Sequence, residues 1–213
     1  MFIELVDILR CPNRHEESWL VLATSRIDGR DVIEGVLGCP VCKSEFPITG
    51  GVARFDQGNP RLTRSTAADE NEAVRLAALL NLTDASGYAI LAGETASHAE
   101  QMRDLTDVPL LLVDPPSGIE MRGGLSGLTT DASSFALPLA AGSARAMALD
   151  DSTTPQALEA RLPALSTGGR ILAPATLPLP EGVAVLARDG RQWLGERANA
   201  ARSSGIVSIN RRK

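Results

Sequence analysis

The chain has 213 residues, 44% of them hydrophobic, and a formal net charge of −5. This length and content allow one domain of average size plus a small module, and the acidic balance excludes a surface that binds nucleic acid non-specifically. No stretch approaches the ~20 apolar residues of a membrane span, and no basic flank with a long apolar run opens the chain, so a cytoplasmic protein without a membrane segment is expected.

Ile3 to Leu9 reads as a short helix or an extended arm leading into Cys11. Cys11 and His15 are spaced Cys-x3-His, and Cys39 and Cys42 are spaced Cys-x2-Cys. Three thiols and one imidazole in two tight pairs are the donor set of a closed tetrahedral zinc site. Pro12 and Pro40 directly follow two of the cysteines and lock φ for the turns such pairs need. Glu16 and Glu17 are alternatives to His15 as the fourth ligand, and the other reading of the cluster is a set of reduced thiols beside a solvated histidine. An odd cysteine count fits metal better than a disulfide framework. Trp19 to Ala23 and Val32 to Leu37 read as strands of a small sheet, and Phe46-Pro47-Ile48 with Gly50-Gly51-Val52 reads as a turning exit. Residues 1–55 carry six Lys or Arg against eight Asp or Glu, so this segment is not a basic finger that reads DNA.

The run Asp56-Gln57-Gly58-Asn59-Pro60, followed by polar residues 61–66, reads as a linker, and residues 56–68 are assigned to it. Beyond it, Asp69 is a plausible cap for a helix over Glu70 to Leu82 with a broad apolar stripe. Strand-like and helical runs then alternate: Tyr88–Ala92 with 95–105, Leu110–Val113, Ala144–Leu149 with 155–165, and Ile171–Ala173 with Val183–Ala187. A helix around Trp193 to Ala201 and a last strand over Gly205 to Asn210 complete the pattern. Such alternation predicts an α/β fold with a mostly parallel sheet over residues 69–210. In open sheets of this kind ligands sit beyond the carboxyl ends of the strands, where Asp114, Asp131, and the pair Asp150 and Asp151 fall. Taken singly, each could equally cap a helix or form a turn. His98 is expected on a helix surface, without a nucleophile elbow nearby.

The strand-end Asp114, Thr130-Asp131-Ala132, Ala136-Leu137-Pro138-Leu139, Gly142-Ser143-Ala144-Arg145-Ala146 and Ser166-Thr167-Gly168-Gly169-Arg170-Ile171-Leu172 together resemble a class I S-adenosylmethionine-dependent methyltransferase domain. The resemblance implies a doubly wound seven-strand sheet, with Asp114 holding the ribose, Asp131 near the adenine and Asp150 or Asp151 near the reaction centre. Residues 1–55, with Leu9-Arg10-Cys11-Pro12, Cys39-Pro40-Val41-Cys42, Phe46-Pro47-Ile48 and Gly51-Val52, resemble the small zinc-ribbon activator subunits of methyltransferases, which implies structural zinc and a protein partner. In that family the first knuckle is usually Cys-Pro-x-Cys, and here Arg14 stands at its second cysteine.

A cofactor loop needs glycines after the first strand so that the backbone can approach its ligand. This chain has Gly93 followed by Glu94, Thr95 and Ser97, with Leu91 where that family has a carboxylate. The loop therefore predicts a weakened or lost S-adenosylmethionine site and a non-catalytic binding or scaffolding module. The alternative is an active methyltransferase with an unusual cofactor loop.

Overall fold

The computed structural model describes residues 1–61, 63–83, 87–132 and 134–198. Ile3–Ile8 form a 3-10 turn, and four strands follow: β1 (Val21–Asp28), β2 (Asp31–Gly38), β3 (Glu45–Thr49) and β4 (Val52–Phe55). Helix α1 (Glu70–Leu80) starts where Asp69 accepts the Asn71 N–H at 2.9 Å and stops at Asn81, whose φ of 56° is left-handed. An uncapped start would leave that donor without a partner, and asparagine tolerates the left-handed stop. Strands β5 (Tyr88–Ala92), β6 (Leu110–Val113), β7 (Leu125–Thr130), β8 (Ala144–Ala148), β9 (Leu165–Pro174), β10 (Val183–Arg188) and β11 (Gln192–Arg197) make up the rest of the sheet, with short helices α2 (Ala99–Arg103) and α3 (Pro155–Arg161). Among the described residues no helix is long and apolar enough to cross a membrane.

All eleven strands join one sheet in the order β1-β2-β3-β4-β7-β6-β5-β8-β9-β11-β10. Pairing is parallel from β4 through β9 and antiparallel at both ends. Counted from β5, the run β7-β6-β5-β8-β9 has the order 3-2-1-4-5, reversing at β5. The resemblance implies a doubly wound sheet of seven strands; the sheet instead has eleven and is parallel only in its central part, because β4 lies parallel to β7, from Val52 beside Gly127 to Phe55 beside Thr130, and joins the four amino-terminal strands to it.

The two faces of the central strands are covered differently. Ala89, Leu91, Leu110, Leu112, Ala146 and Ala148 point to the side that α1 and α2 cover with Ala73, Leu76, Leu80, Ala99 and Met102. Ile90, Leu111, Val113, Leu128 and Met147 point to the other side, where Leu158 of α3 shares a core with Met1, Leu5, Leu9, Leu37, Phe46 and Ile48. Among the described residues no helix joins β6 to β7 or β7 to β8, so the amino-terminal segment buries apolar surface that crossover helices would cover in a fully wound sheet. Backbone bonds fix it there: Arg10 N–H donates to the Pro138 carbonyl at 2.9 Å and Ala140 N–H to the Ile8 carbonyl at 2.7 Å.

One expected element is of the wrong type. Trp193, predicted in a helix, lies in β11 at 1% exposure, paired with Ala173 of β9 and Arg188 of β10. Asp189 makes the turn, its Oδ1 accepting the N–H groups of Arg191 and Gln192 at 2.7 Å, and that geometry returns the chain as a hairpin. The predicted strand at 205–210 lies outside the described residues.

Candidate functional site

Cys11 and His15 are presented by the loop between the Ile3–Ile8 turn and β1, and Cys39 and Cys42 by the knuckle between β2 and β3. The second knuckle closes when Lys43 N–H donates to the Cys39 carbonyl at 3.0 Å, with Lys43 at a left-handed φ of 62°. The four ligand atoms lie within 4.8 Å of one another. Cys11 Sγ is 3.7 Å from Cys42 Sγ, and Cys39 Sγ is 3.4 Å from His15 Nε2. Sulfurs on a tetrahedron with bonds of ~2.3 Å stand ~3.8 Å apart, so the four residues are spaced to hold a metal ion. His15 Nδ1 lies 2.5 Å from the Glu16 carbonyl, which fixes the ring with Nε2 toward the thiols, as metal-bound histidines require. Glu17, the alternative ligand, is paired with Arg10 at 3.2 Å.

Local donors also prepare the sulfurs. The Ser44 hydroxyl, 3.3 Å from Cys42 Sγ, and the Asn13 amide at 3.4 Å pull that thiol down to about 5. Burial pushes Cys11 up to about 12 in the absence of a cation. A metal ion reverses the second effect, since a coordinated thiol is deprotonated outright.

The second candidate site is a cavity of about 400 Å³ beyond the carboxyl ends of β5, β6 and β8, bounded by Gly93, Asp114, Asp150, Arg61, Arg161 and Phe135 among others. Three of the predicted positions meet here: Gly93, Asp114 and Asp150. Asp131 instead lines a separate cavity of about 180 Å³ against Pro12 and Phe55, and Asp151 lines a third, of about 420 Å³, with Glu94, Thr95 and His98.

The carboxylates of the cavity are engaged by their own chain. Asp114, at 4% exposure and a left-handed φ of 50°, accepts the Thr130 N–H on Oδ1 at 2.6 Å and the Thr130 hydroxyl on Oδ2 at 2.7 Å. Burial pushes its pKa up, opposed by those two donors and by Arg161 and Arg61. Asp150 accepts the Glu94 N–H on Oδ2 at 2.9 Å, and on Oδ1 the Ser152 N–H at 3.2 Å, the Ser152 hydroxyl at 2.7 Å and the Thr153 hydroxyl at 3.3 Å. Gly93 has a left-handed φ of 62°, and a Cβ there would collide with the Asp150 carboxylate. The cradle that a glycine opens for a ligand thus holds a side chain of the same molecule.

Two arginines escaped the sequence reading. Arg61 belongs to the predicted linker, which here straps across the ends of β6 and β7: Pro60 bridges Asp131, Arg61 Nη2 donates to the carbonyls of Ala132 and Ser134, and the Thr63 hydroxyl donates to the Asp114 carbonyl at 2.6 Å. Arg161 occupies the buried stripe of α3 with Ala157 and Leu158. A charged residue at an apolar position of a helix was the available signal.

Among known proteins, residues 3–51 match the family model described as Trm112p-like protein. Residues 3–51 form a Trm112p-like domain. No curated protein is matched. Solved structures similar to the chain include a Corynebacterium glutamicum protein at 18% identity and a TM-score of 0.47, over 64% of this chain and 85% of that one. They also include a putative S-adenosyl-L-methionine-dependent methyltransferase from Methanococcus maripaludis at 9% identity and 0.45, over 61% and 85%. A methyltransferase from Geobacter sulfurreducens stands at 10% identity and 0.43, over 62% and 81%. The Trm112p-like domain carries all four cluster residues.

Proposed function

We propose that this protein is a non-catalytic binding or scaffolding module, in which the Trm112p-like domain, a structural zinc ribbon over residues 1–55, is fused through residues 56–68 to a degenerate, doubly wound methyltransferase-like domain over 69–210. The observation that carries the reading is the Asp150 carboxylate in the cradle of Gly93, bonded to the Glu94 N–H. A cofactor of the S-adenosylmethionine type needs that backbone approach and an acid after β6 for its ribose, and Asp114 there already accepts a donor of Thr130 on each oxygen.

Zinc, held by Cys11, His15, Cys39 and Cys42, supplies folding free energy to a segment with a small core of its own. Its site is closed, with four protein ligands and no open position for chemistry. The partner is another protein. Because the edge of β4 is already paired with β7, that partner meets a different face from the one the Trm112p-like domain uses on its own chain.

The alternative, an active S-adenosylmethionine-dependent methyltransferase with Asp150 or Asp151 near the reaction centre, is favoured by the size of the cavity beside Gly93 and Asp114. Calorimetric titration with S-adenosylmethionine and S-adenosylhomocysteine decides between them. The non-catalytic reading expects no saturable binding, and affinity in the low-micromolar range, ~8 kcal/mol, would sink it.

A further inference from the structure

Two guanidinium groups converge on the cavity at the sheet's reversal point, and the chain supplies too few acceptors for them. Arg161 is 5% exposed, yet its Nε has no hydrogen-bond partner among the described residues. The nearest carboxylate oxygen, Asp114 Oδ2, is 3.6 Å from Nη2, beyond hydrogen-bond length. Arg61 Nε is also buried without a hydrogen-bond partner among the described residues, at 3.9 Å from the same oxygen. The acidic wall is in the opposite condition. Asp114 accepts two donors of Thr130, and Asp150 accepts donors from Glu94, Ser152 and Thr153. Buried donors left without acceptors are rare in native proteins and call for an explanation such as a ligand.

We propose that this cavity binds a small oxyanion, a carboxylate or a phosphate ester, through Arg161 and Arg61. Guanidinium forks match the planar and trigonal faces of such groups and can donate to them in pairs. The volume of about 400 Å³ suits a small metabolite. Phe135, whose ring centroid is 5.1 Å from the Arg61 guanidinium, gives an apolar wall to the organic remainder. Burial pushes the pKa of Arg161 down, with Asp114 opposing, as expected of a cation short of acceptors. The inference rests on the non-catalytic reading for the identity of the ligand, since S-adenosylmethionine does not claim the space in that reading, while the arginine contacts stand apart from it.

The test is calorimetry on the full chain supplied with zinc, titrated with inorganic phosphate and separately with succinate at fixed ionic strength. Saturable binding of one anion is expected, weakened at least tenfold by Arg161→Gln and by Arg61→Gln and partly restored in Arg161→Lys. The preferred anion identifies the ligand's headgroup. Arg61, with a side chain 25% exposed, provides a variant that folds if Arg161→Gln does not. Absence of saturable binding by both anions, or affinity unchanged in the folded glutamine variants, overturns the proposal. S-adenosylhomocysteine titrated alongside separates the two readings: if it binds and competes while the arginine dependence persists, the non-catalytic reading fails and the oxyanion site stands. Silence from all three ligands removes the oxyanion site alone.

Discussion

Replacing Asp150 with alanine removes the acceptor for four donors, and the structure indicates which losses matter. The two Ser152 donors sit on an exposed residue and turn to water. The Glu94 N–H and the Thr153 hydroxyl, on half-buried and buried residues, lose a charged acceptor worth ~1.5–3 kcal/mol when fully buried. Discounted for partial exposure, Asp150→Ala should cost about 2 kcal/mol, or ~4–8 °C in Tm for a chain of this length. Gly93→Ala should cost about 3 kcal/mol in the wild type, because a left-handed alanine is strained by ~1 kcal/mol and its Cβ drives Asp150 from its bonds. In the Asp150→Ala background only the strain remains, so the two changes should fall short of additivity by about 2 kcal/mol. Chemical denaturation of the four proteins measures this cycle. Additivity within ~0.5 kcal/mol would refute the claim that the Asp150 carboxylate occupies the glycine cradle.

Elemental analysis should find about one zinc per chain, lost together with thermal stability in Cys39→Ser; retention of zinc in His15→Ala would transfer the fourth ligand position elsewhere. Residues 66–213 expressed alone should be less soluble and melt lower than the full chain, because Leu5, Leu9, Leu37, Phe46 and Ile48 no longer cover Ile90, Leu111 and Leu128; equal behaviour would make the Trm112p-like domain an independent appendage. Arg75, bonded to Glu72 at 2.8 and 2.6 Å, holds that carboxyl below its usual range. A lowered acid stabilises the fold above its unfolded pKa and loses the effect as pH falls through its folded pKa, so the wild type should melt above Glu72→Gln at pH 7, and the gap should begin to close near about pH 4 and vanish at lower pH.

The Cys and His cluster that could hold a metal ion was legible because its four residues come in two local pairs whose spacing already describes the turns. The buried strands β5 and β6 were legible as short apolar runs, and α1 from the Asp69 cap and its stripe. Pairing of β4 with β7 was not, since residues 52–55 and 127–130 carry no shared period and meet only through long-range packing. Trp193 misled because a short apolar stretch does not distinguish helix from strand, although Asp189-Gly190 just before it is a hairpin signal. In the cavity, Gly93 and Asp114 were found from their places after strands. What they do was not. That Asp150 turns back onto Gly93, that Thr130 donates twice to Asp114, and that the linker delivers Arg61 all follow from tertiary geometry.

The central claim, that this chain fills its own cofactor cradle, is tested most directly by an experimental structure determined in millimolar S-adenosylhomocysteine. The account predicts Asp150 Oδ2 still within hydrogen-bond distance of the Glu94 N–H and nothing bound against Gly93. S-adenosylhomocysteine seated on Gly93, with its ribose hydroxyls on Asp114, would contradict it.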